Sequence, residues 1–558
     1  MPDPSRQPSA LDRLADEYVE QLVPRDPYLA TALGVPGHDD EVTDYSPAAE
    51  QERLDLARTL LRSLDGVADQ DAIDTVTRAA LTERLGLELE RAETHRDIAA
   101  VNNLHSVLQH VRSSLDQMPI DTPGDWEVIT RRMERMPHSL RTWSESLHEA
   151  AAAGTVAPRR QLLLGAEQAR GYAHDFFPAF VRGARGSQAQ QDAAVAAAGT
   201  IGRGYEKIAE VLTDLADRAP EADAVGREAY QLDSRTFLGA EIDLDETYAW
   251  GVEELRRIVA EQERVASRIN DRLGTGGGTS IPAAKAALNA DPARILHGTE
   301  ALQAWMQRLS DQAVAELAGD QFDIPTPLRR LECMIARTGA GGIYYTGPSE
   351  DLSRPGRMWW DVPPGEDEFA TWAETTTVYH EGVPGHHLQV GIQTLQGPSL
   401  NRWRSMLCWV SGHGEGWALY AERLMEQLGY LDDDGDRLGM LDAQRLRAGR
   451  VVLDIGLHLG LPMPAGLAGS AGGAWSYEKA WDFMSEHWGV SEGQQRFELH
   501  RYLGWPGQAP SYKVGQRIWE QLRDRAVGAD HSPAALRDFH ARALALGSLP
   551  LSVLQEAL

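Results

Sequence analysis

Val378-Tyr-His-Glu-Gly-Val-Pro-Gly-His-His-Leu-Gln389 reads as a helix that is interrupted in its middle and then resumes. The stretch sets three histidines and a glutamate between His380 and His387. Imidazole and carboxylate are the ligands zinc takes in hydrolytic sites, which use three protein ligands and keep one position for water. A glutamate directly after the first histidine stands where a metalloprotease keeps its general base. Glu381 is therefore the expected base.

The spacing differs from the short zinc motif, in which two histidines four apart share one helix face. Four residues after His380 stands Pro384. On an unbroken helix His380 and His387 would lie about 10 Å apart along the axis, too far for one ion with bonds of about 2 Å. Proline breaks the helix ladder and glycine tolerates unusual dihedrals. A two-residue bulge at Val383-Pro384 or Pro384-Gly385 would set His386 beside His380. His386 is then the second ligand and His387 a supporting or substrate-facing group; the other register exchanges them.

A third ligand has to come from elsewhere. Glu415 stands in Gly412-His-Gly-Glu-Gly-Trp-Ala-Leu-Tyr-Ala-Glu422. Glu415 and Glu422 share a helix face two turns apart, so only one of them reaches the ion. The other can hold the tautomer of a ligand histidine. The expected set is one zinc ion per chain on His380, His386 and one of these glutamates, the other standing behind it, with His413 as the competing third ligand. Gly412 and Gly414 allow close backbone approach there.

His-Glu-Gly-x-Pro-Gly-His-His-Leu-Gln followed by Glu-Gly-Trp-Ala-Leu-Tyr-x-Glu resembles the bacterial domain-of-unknown-function 885 family. Further matching segments are Tyr344-Tyr345 to Gly356, Arg447 to His458, Arg501-Tyr502 and Pro506 to Gly515, with a weaker one at Asp26 to Gly34. The segment after Gly460 and the proline at 510 depart from the family pattern. The resemblance implies a zinc metallopeptidase-like protein, distantly similar to helical gluzincin peptidases. That relation supports Glu415 as the glutamate ligand. It also points to a C-terminal tyrosine or histidine as oxyanion donor: Tyr512 first, His458 second, with Asp454 one helical turn before His458.

The implied chemistry is hydrolysis of an amide or peptide bond in short peptides or acylated amino acids. The alternatives are a metal-dependent lyase, cyclisation or transfer reaction on the same scaffold, and a metal-binding scaffold without catalysis. Gly339 to Thr346 is the best strand candidate, and an edge strand carrying Tyr344 and Tyr345 could bind substrate backbone. Arg354, Arg447, Arg450, Arg501 and Lys513 are candidates for gripping a substrate carboxylate.

The 558 residues, 42% hydrophobic and 25% charged, have the make-up of an ordinary globular protein. A net charge of −29 argues against nucleic-acid and anionic-membrane surfaces. Cys333 and Cys408 are too few and too far apart for a disulfide framework or zinc ribbon. Neither a secretory signal pattern nor a run of about 20 apolar residues is seen, so a cytoplasmic location is expected. The sequence leaves the oligomeric state open.

Three- and four-residue apolar spacing predicts helices over 11–23, 48–64, 73–91, 161–181 and 246–273, the last ended by the glycine run at 274–278. Asp432 to Asp436 lacks the alternating order of a calcium loop and reads as a solvated turn. The expected architecture is mainly α, metallopeptidase-like, with a deep central cleft bordered by a small sheet. A helical lobe is expected over 1–240 and a metal-binding lobe over 241–558, the two forming one continuous family domain.

Overall fold

The computed structural model describes residues 6–336, 342–530 and 532–558. Helix accounts for 66%, with a few short strands and, among the described residues, no closed barrel, so the mainly-α class holds. Among the described residues no helix is long and apolar enough to cross a membrane. The chain divides into two compact units. One comprises 8–226 and 496–506; the other comprises 227–495 and 507–558, with Arg6 and Gln7. The boundary lies at 226/227, against residue 240 in the sequence reading, and the 496–506 excursion has no counterpart in that reading.

The unit over 8–226 is built of amphipathic helices with polar starts. Ser9, Ser46 and Asp71 each accept a backbone N–H at the start of helices Ala10–Leu22, Pro47–Leu64 and Ala72–Ala92. The helical pattern over 161–181 is realised as Arg159–Gly171, a π-turn at Tyr172–Phe176 and a last short helical turn, Phe177–Phe180. Helices Pro123–Ala152 and Gln188–Ala216 meet where Gly204 faces Pro137. Trp126, Trp143, Phe177 and Tyr205 fill the core between the helices.

The other unit starts from a long helix, Leu244–Leu273, capped by Asp243 and closed by Gly274 in the left-handed conformation. Leu255, Ile258, Val265 and Ile269 on its inner face are buried. Five helices of this unit frame the site. They are α1 (Thr371–Glu381), α2 (His386–Gln396), α3 (Ser411–Gln427), α4 (Asp434–Leu459) and α5 (Ser511–Val527). The acidic turn before α4 serves as its cap: Asp433 accepts from the N–H groups of Gly435 and Asp436 and pairs with Arg294 at 2.8 Å.

Strand β1 (Ile295–His297) pairs antiparallel with β5 (Glu368–Ala370), which runs directly into α1. A second sheet has the order β2-β4-β3, from β2 (Leu331–Ala336), β3 (Ile343–Thr346) and β4 (Gly356–Asp361). β2 is parallel to β4 and β3 antiparallel to it, with Tyr344 opposite Trp359. Alternation sends Met358 and Trp360 into a core with Leu302, Met306 and Val378. Tyr344 stays on the outer side, its ring stacked on Trp359 at 6.1 Å. The expected strand is thus present over 343–346; Gly339 to Gly341 lie outside the described residues.

The interruption between α1 and α2 spans Gly382 to Gly385, wider than a two-residue bulge, and Val383-Pro384 is cis. Backbone bonds hold it: Gly382 N to Val378 O at 2.9 Å, Gly385 N to Tyr379 O at 3.1 Å and His387 N to Gly382 O at 3.1 Å. The Trp417 indole N–H donates to Pro384 O at 2.9 Å. A Cβ on Gly385 would overlap the carbonyl of His380 and lie 2.5 Å from that of Tyr379. Gly385→Ala should therefore cost about 1–3 kcal/mol by overpacking and lower the melting temperature. Gly86→Ala, in helix Ala72–Ala92 with nothing within 4 Å, should be neutral or gain up to about 1 kcal/mol. Equal melting temperatures for the two variants would show that the break tolerates a side chain.

Candidate metal centre

α1 ends with His380 and Glu381, and α2 begins with His386, so the interruption turns two imidazoles toward one another. Their rings stand edge to face at 4.9 Å. His380 Nε2 lies 3.4 Å and His386 Nε2 3.6 Å from the same oxygen, Oε2 of Glu415 on α3. Donor atoms of His380, Glu381 and His386 also lie within 4.8 Å of one another. Glu381 is thus close to both imidazoles.

His380 is fixed from behind. Its Nδ1 is 2.7 Å from Glu422 Oε1, and the other oxygen of Glu422 accepts from Thr376 Oγ1 at 2.8 Å. Glu422 is 1% exposed, so both oxygens need partners. Nδ1–H donation to Glu422 turns Nε2 toward Glu415, where it carries the ring's second proton unless a metal ion takes that proton's place. Burial disfavours a charged His380, but Glu415 and Glu422 outweigh it and raise its pKa to about 10. Burial likewise opposes ionisation of Glu415, yet His380 and His386 hold its carboxyl well below the ordinary range. Glu381 goes the other way: burial raises its pKa against the pull of His386 and His380.

These donors fit a zinc ion. With bonds of about 2.0–2.1 Å, tetrahedral ligand atoms lie about 3.3–3.4 Å apart. The two Nε2-to-carboxylate separations are close to that edge.

His387 is excluded from the cluster. It is fully buried, with Nε2 2.9 Å from Leu328 O and Nδ1 2.9 Å from the Tyr345 hydroxyl. Burial lowers its pKa to about 4 despite the Leu328 carbonyl, so the ring is neutral. Nε2–H donates to the carbonyl, and Nδ1 accepts from Tyr345. His413 is also turned away: Gln389 donates to its Nδ1 at 2.9 Å and its ring packs on Trp519.

α3 and α5 cross on glycine. A Cβ on Gly416 would lie 2.5 Å from the Gly515 carbonyl carbon, and one on Gly515 would overlap Gly412 O. The near contact of the two backbones sets Glu415 and Tyr512 beside one cavity of about 350 Å³. Its lining comprises Ile343, Tyr344 and Tyr345 of β3, His380, Glu381, His386, Val390, Trp409, Glu415, Arg447 and Arg450 of α4, and Tyr512. The Arg450 guanidinium lies 5.3 Å from the centre of the Tyr512 ring.

Besides His387 and Glu422, four expected catalytic or substrate-binding residues are not brought to this cavity. His458 is 1% exposed and 4.0 Å from Asp454, whose other oxygen accepts from Tyr230 and the Gly507 N–H. Lys513 is buried and donates to Gln444, Gln516 and Glu254 at 2.5–3.0 Å. Arg354 donates to the carbonyls of Gly347 and Pro355 within its own loop. Arg501 belongs to the other unit and pairs with Glu498 at 3.1 Å. In each case a tertiary or local partner takes up the polar group. Val390 and Trp409 are cavity residues that the sequence reading left out, and Trp409 is the one with chemical character. Its indole lies over Gly414, where a Cβ would overlap the ring, and a large aromatic just before Gly412-x-Gly414 is the signal that could have drawn attention to it.

The chain belongs to the family described as bacterial protein of unknown function (DUF885), whose model matches residues 27–558. No curated protein matches it. Two solved structures share the fold, each described as a "putative lipoprotein". The one from Colwellia psychrerythraea has a TM-score of 0.81 at 22% identity, over 98% of this chain and 97% of that one. The one from Shewanella oneidensis has a TM-score of 0.72 at 16% identity, over 98% of this chain and 99% of that one.

The ligand geometry generates a metal-retention pattern. His380→Ala, His386→Ala and Glu415→Ala should each lose zinc by elemental analysis of the folded protein. His387→Ala should keep it. Glu422→Gln should bind it about 10–100-fold more weakly, as expected when the partner that orients a ligand imidazole is removed. Full occupancy in Glu415→Ala, or loss in His387→Ala, would require a different ligand set.

Proposed function

We propose that this family member is a zinc-dependent hydrolase that cleaves an amide or peptide bond in short peptides or acylated amino acids. The observation that carries this reading is the convergence of two Nε2 atoms on one oxygen of Glu415, with buried Glu381 beside them in a cavity. In this reading the helical frame, with β3 bordering the cavity, is metallopeptidase-like. His380, His386 and Glu415 hold the ion. When bound, zinc supplies Lewis acidity toward water and toward a carbonyl oxygen.

The remaining work falls to side chains. Glu381 takes a proton from the attacking water on a carboxylate oxygen and delivers it to the leaving amine nitrogen. Burial raises its pKa, which strengthens it as a proton acceptor. Glu422 keeps the His380 ring in one tautomer. Tyr512 donates its phenol O–H to the oxyanion that develops on the substrate carbonyl oxygen. Tyr345 is a weaker donor candidate, because its hydroxyl is already bonded to His387. At about 350 Å³ the cavity is near the lower end of ligand-site volumes, which suits small substrates.

Glu381→Gln should keep its zinc and its fold while losing at least about 10²-fold in amide cleavage, because glutamine preserves shape but cannot take the proton. Tyr512→Phe should lose less, mainly in kcat. Candidate substrates come from mass-spectrometric screening of peptide and acyl-amino-acid libraries with the purified protein. Near-native turnover by a metallated Glu381→Gln would sink water activation and favour lyase, cyclisation or transfer chemistry.

A further inference from the structure

The lining of the cavity divides by chemistry. Arg447 and Arg450 come from α4, while Tyr344 and Tyr345 of β3 and Trp409 supply aromatic surface. Glu381, His380, His386 and Glu415 belong to the same lining.

Arg447 differs from Arg437 and Arg445 of α4 and from Arg423 of α3. Arg437 pairs with Glu261, Arg445 with Glu486 and Arg423 with Glu261 and Glu426, each within 3.3 Å. Arg447 makes no ion pair among the described residues. Its Nη1 reaches Ala443 O of its own helix at 3.3 Å, and its buried Nε has no partner. Its charge is felt by Glu381 and Glu422, but neither is within ion-pairing distance. A half-buried guanidinium without a bonded anion is costly unless an anion is supplied, and its planar fork matches a carboxylate.

The aromatic surface is anomalous in the opposite sense. Within this unit the large apolar side chains that remain exposed are Leu273, Tyr344 and Trp409, among the described residues. Two of the three line this cavity, Tyr344 at 43% exposed and Trp409 at 49%. Scattered exposed apolar groups need no explanation, but two aromatics gathered at one cavity mark a place for an apolar ligand group.

We infer that the substrate is a small carboxylic acid with a bulky apolar substituent, its carboxylate held by Arg447 and its apolar group laid on Trp409 and Tyr344. An amino acid N-acylated by an aromatic or large aliphatic acid has this form, as does a dipeptide with a large N-terminal side chain. The inference rests on the hydrolase reading for which bond is cut. Its test reads binding, so the two can fail separately.

The probes are N-benzoylglycine, its primary amide N-benzoylglycinamide, and N-acetylglycine, titrated by calorimetry into full-length zinc-loaded Glu381→Gln protein. The acid should bind at least about tenfold more tightly than the amide, the scale of a lost charge-assisted hydrogen bond, and more tightly than N-acetylglycine. Arg447→Gln should abolish the acid-over-amide preference and keep the benzoyl-over-acetyl preference. Trp409→Ala should do the reverse. Arg447→Lys should retain part of the acid preference, which separates charge recognition from damage to the fold. Absence of benzoylglycine binding at millimolar concentration, equal affinity for acid and amide, or an unchanged preference in Arg447→Gln would overturn the inference. The expected binding pattern without cleavage of any amide by the wild type would leave it standing and remove the hydrolase. Cleavage of neutral amides insensitive to position 447 would do the opposite.

Discussion

The contact between His380 and Glu422 sets the geometry of the candidate site. A carboxylate 1% exposed is expensive to bury unless both oxygens are satisfied. Glu422 finds its two partners, His380 and Thr376, on one face of α1. The bond therefore fixes how α1 lies against α3 and which nitrogen of His380 faces the cavity. Glu415, two turns earlier on α3, is carried to the other side of the same imidazole. One ring is held between two carboxylates from one helix, and the remaining site groups are arranged around it.

The cluster also separates three carboxylates by environment. Glu415 and Glu422 are held low by imidazole partners, while buried Glu381 is pushed up. Chemically identical groups within one small volume thereby acquire different proton affinities. Such a division arises from burial and partner choice, with no need for different residue types.

Much of this was legible in the sequence because it is local. Apolar spacing gave the helices over 48–64 and 73–91 to within about a residue, and Ser46 and Asp71 mark their starts. The seven-residue interval between Glu415 and Glu422 implied one helix face, and Pro384-Gly385 implied a break that favours His386 over His387. The length of the break was not readable, because backbone bonds from Gly385 to Tyr379 and from His387 to Gly382 define it. The polar residues at His458, Lys513, Arg354 and Arg501 looked equally suited to a site. Whether such a group meets substrate or a structural partner is decided by residues such as Glu254 or Glu498, through tertiary placement or burial that motif matching does not weigh. Trp409 escaped notice for a related reason: its exposure is a property of the folded surface.

The glycine crossing of α3 and α5 has a further consequence. Gly416 and Gly515 already carry the smallest side chain available, so every replacement adds volume to a joint with no room for it. Sequence drift there runs in one direction only, against the packing. The exposed rim formed by Tyr344 and Trp409 is under no such restriction and can change size or polarity without moving a helix. Changes in what the cavity admits are thus tolerated at the rim, while the crossing that sets Glu415 and Tyr512 beside the cavity resists them.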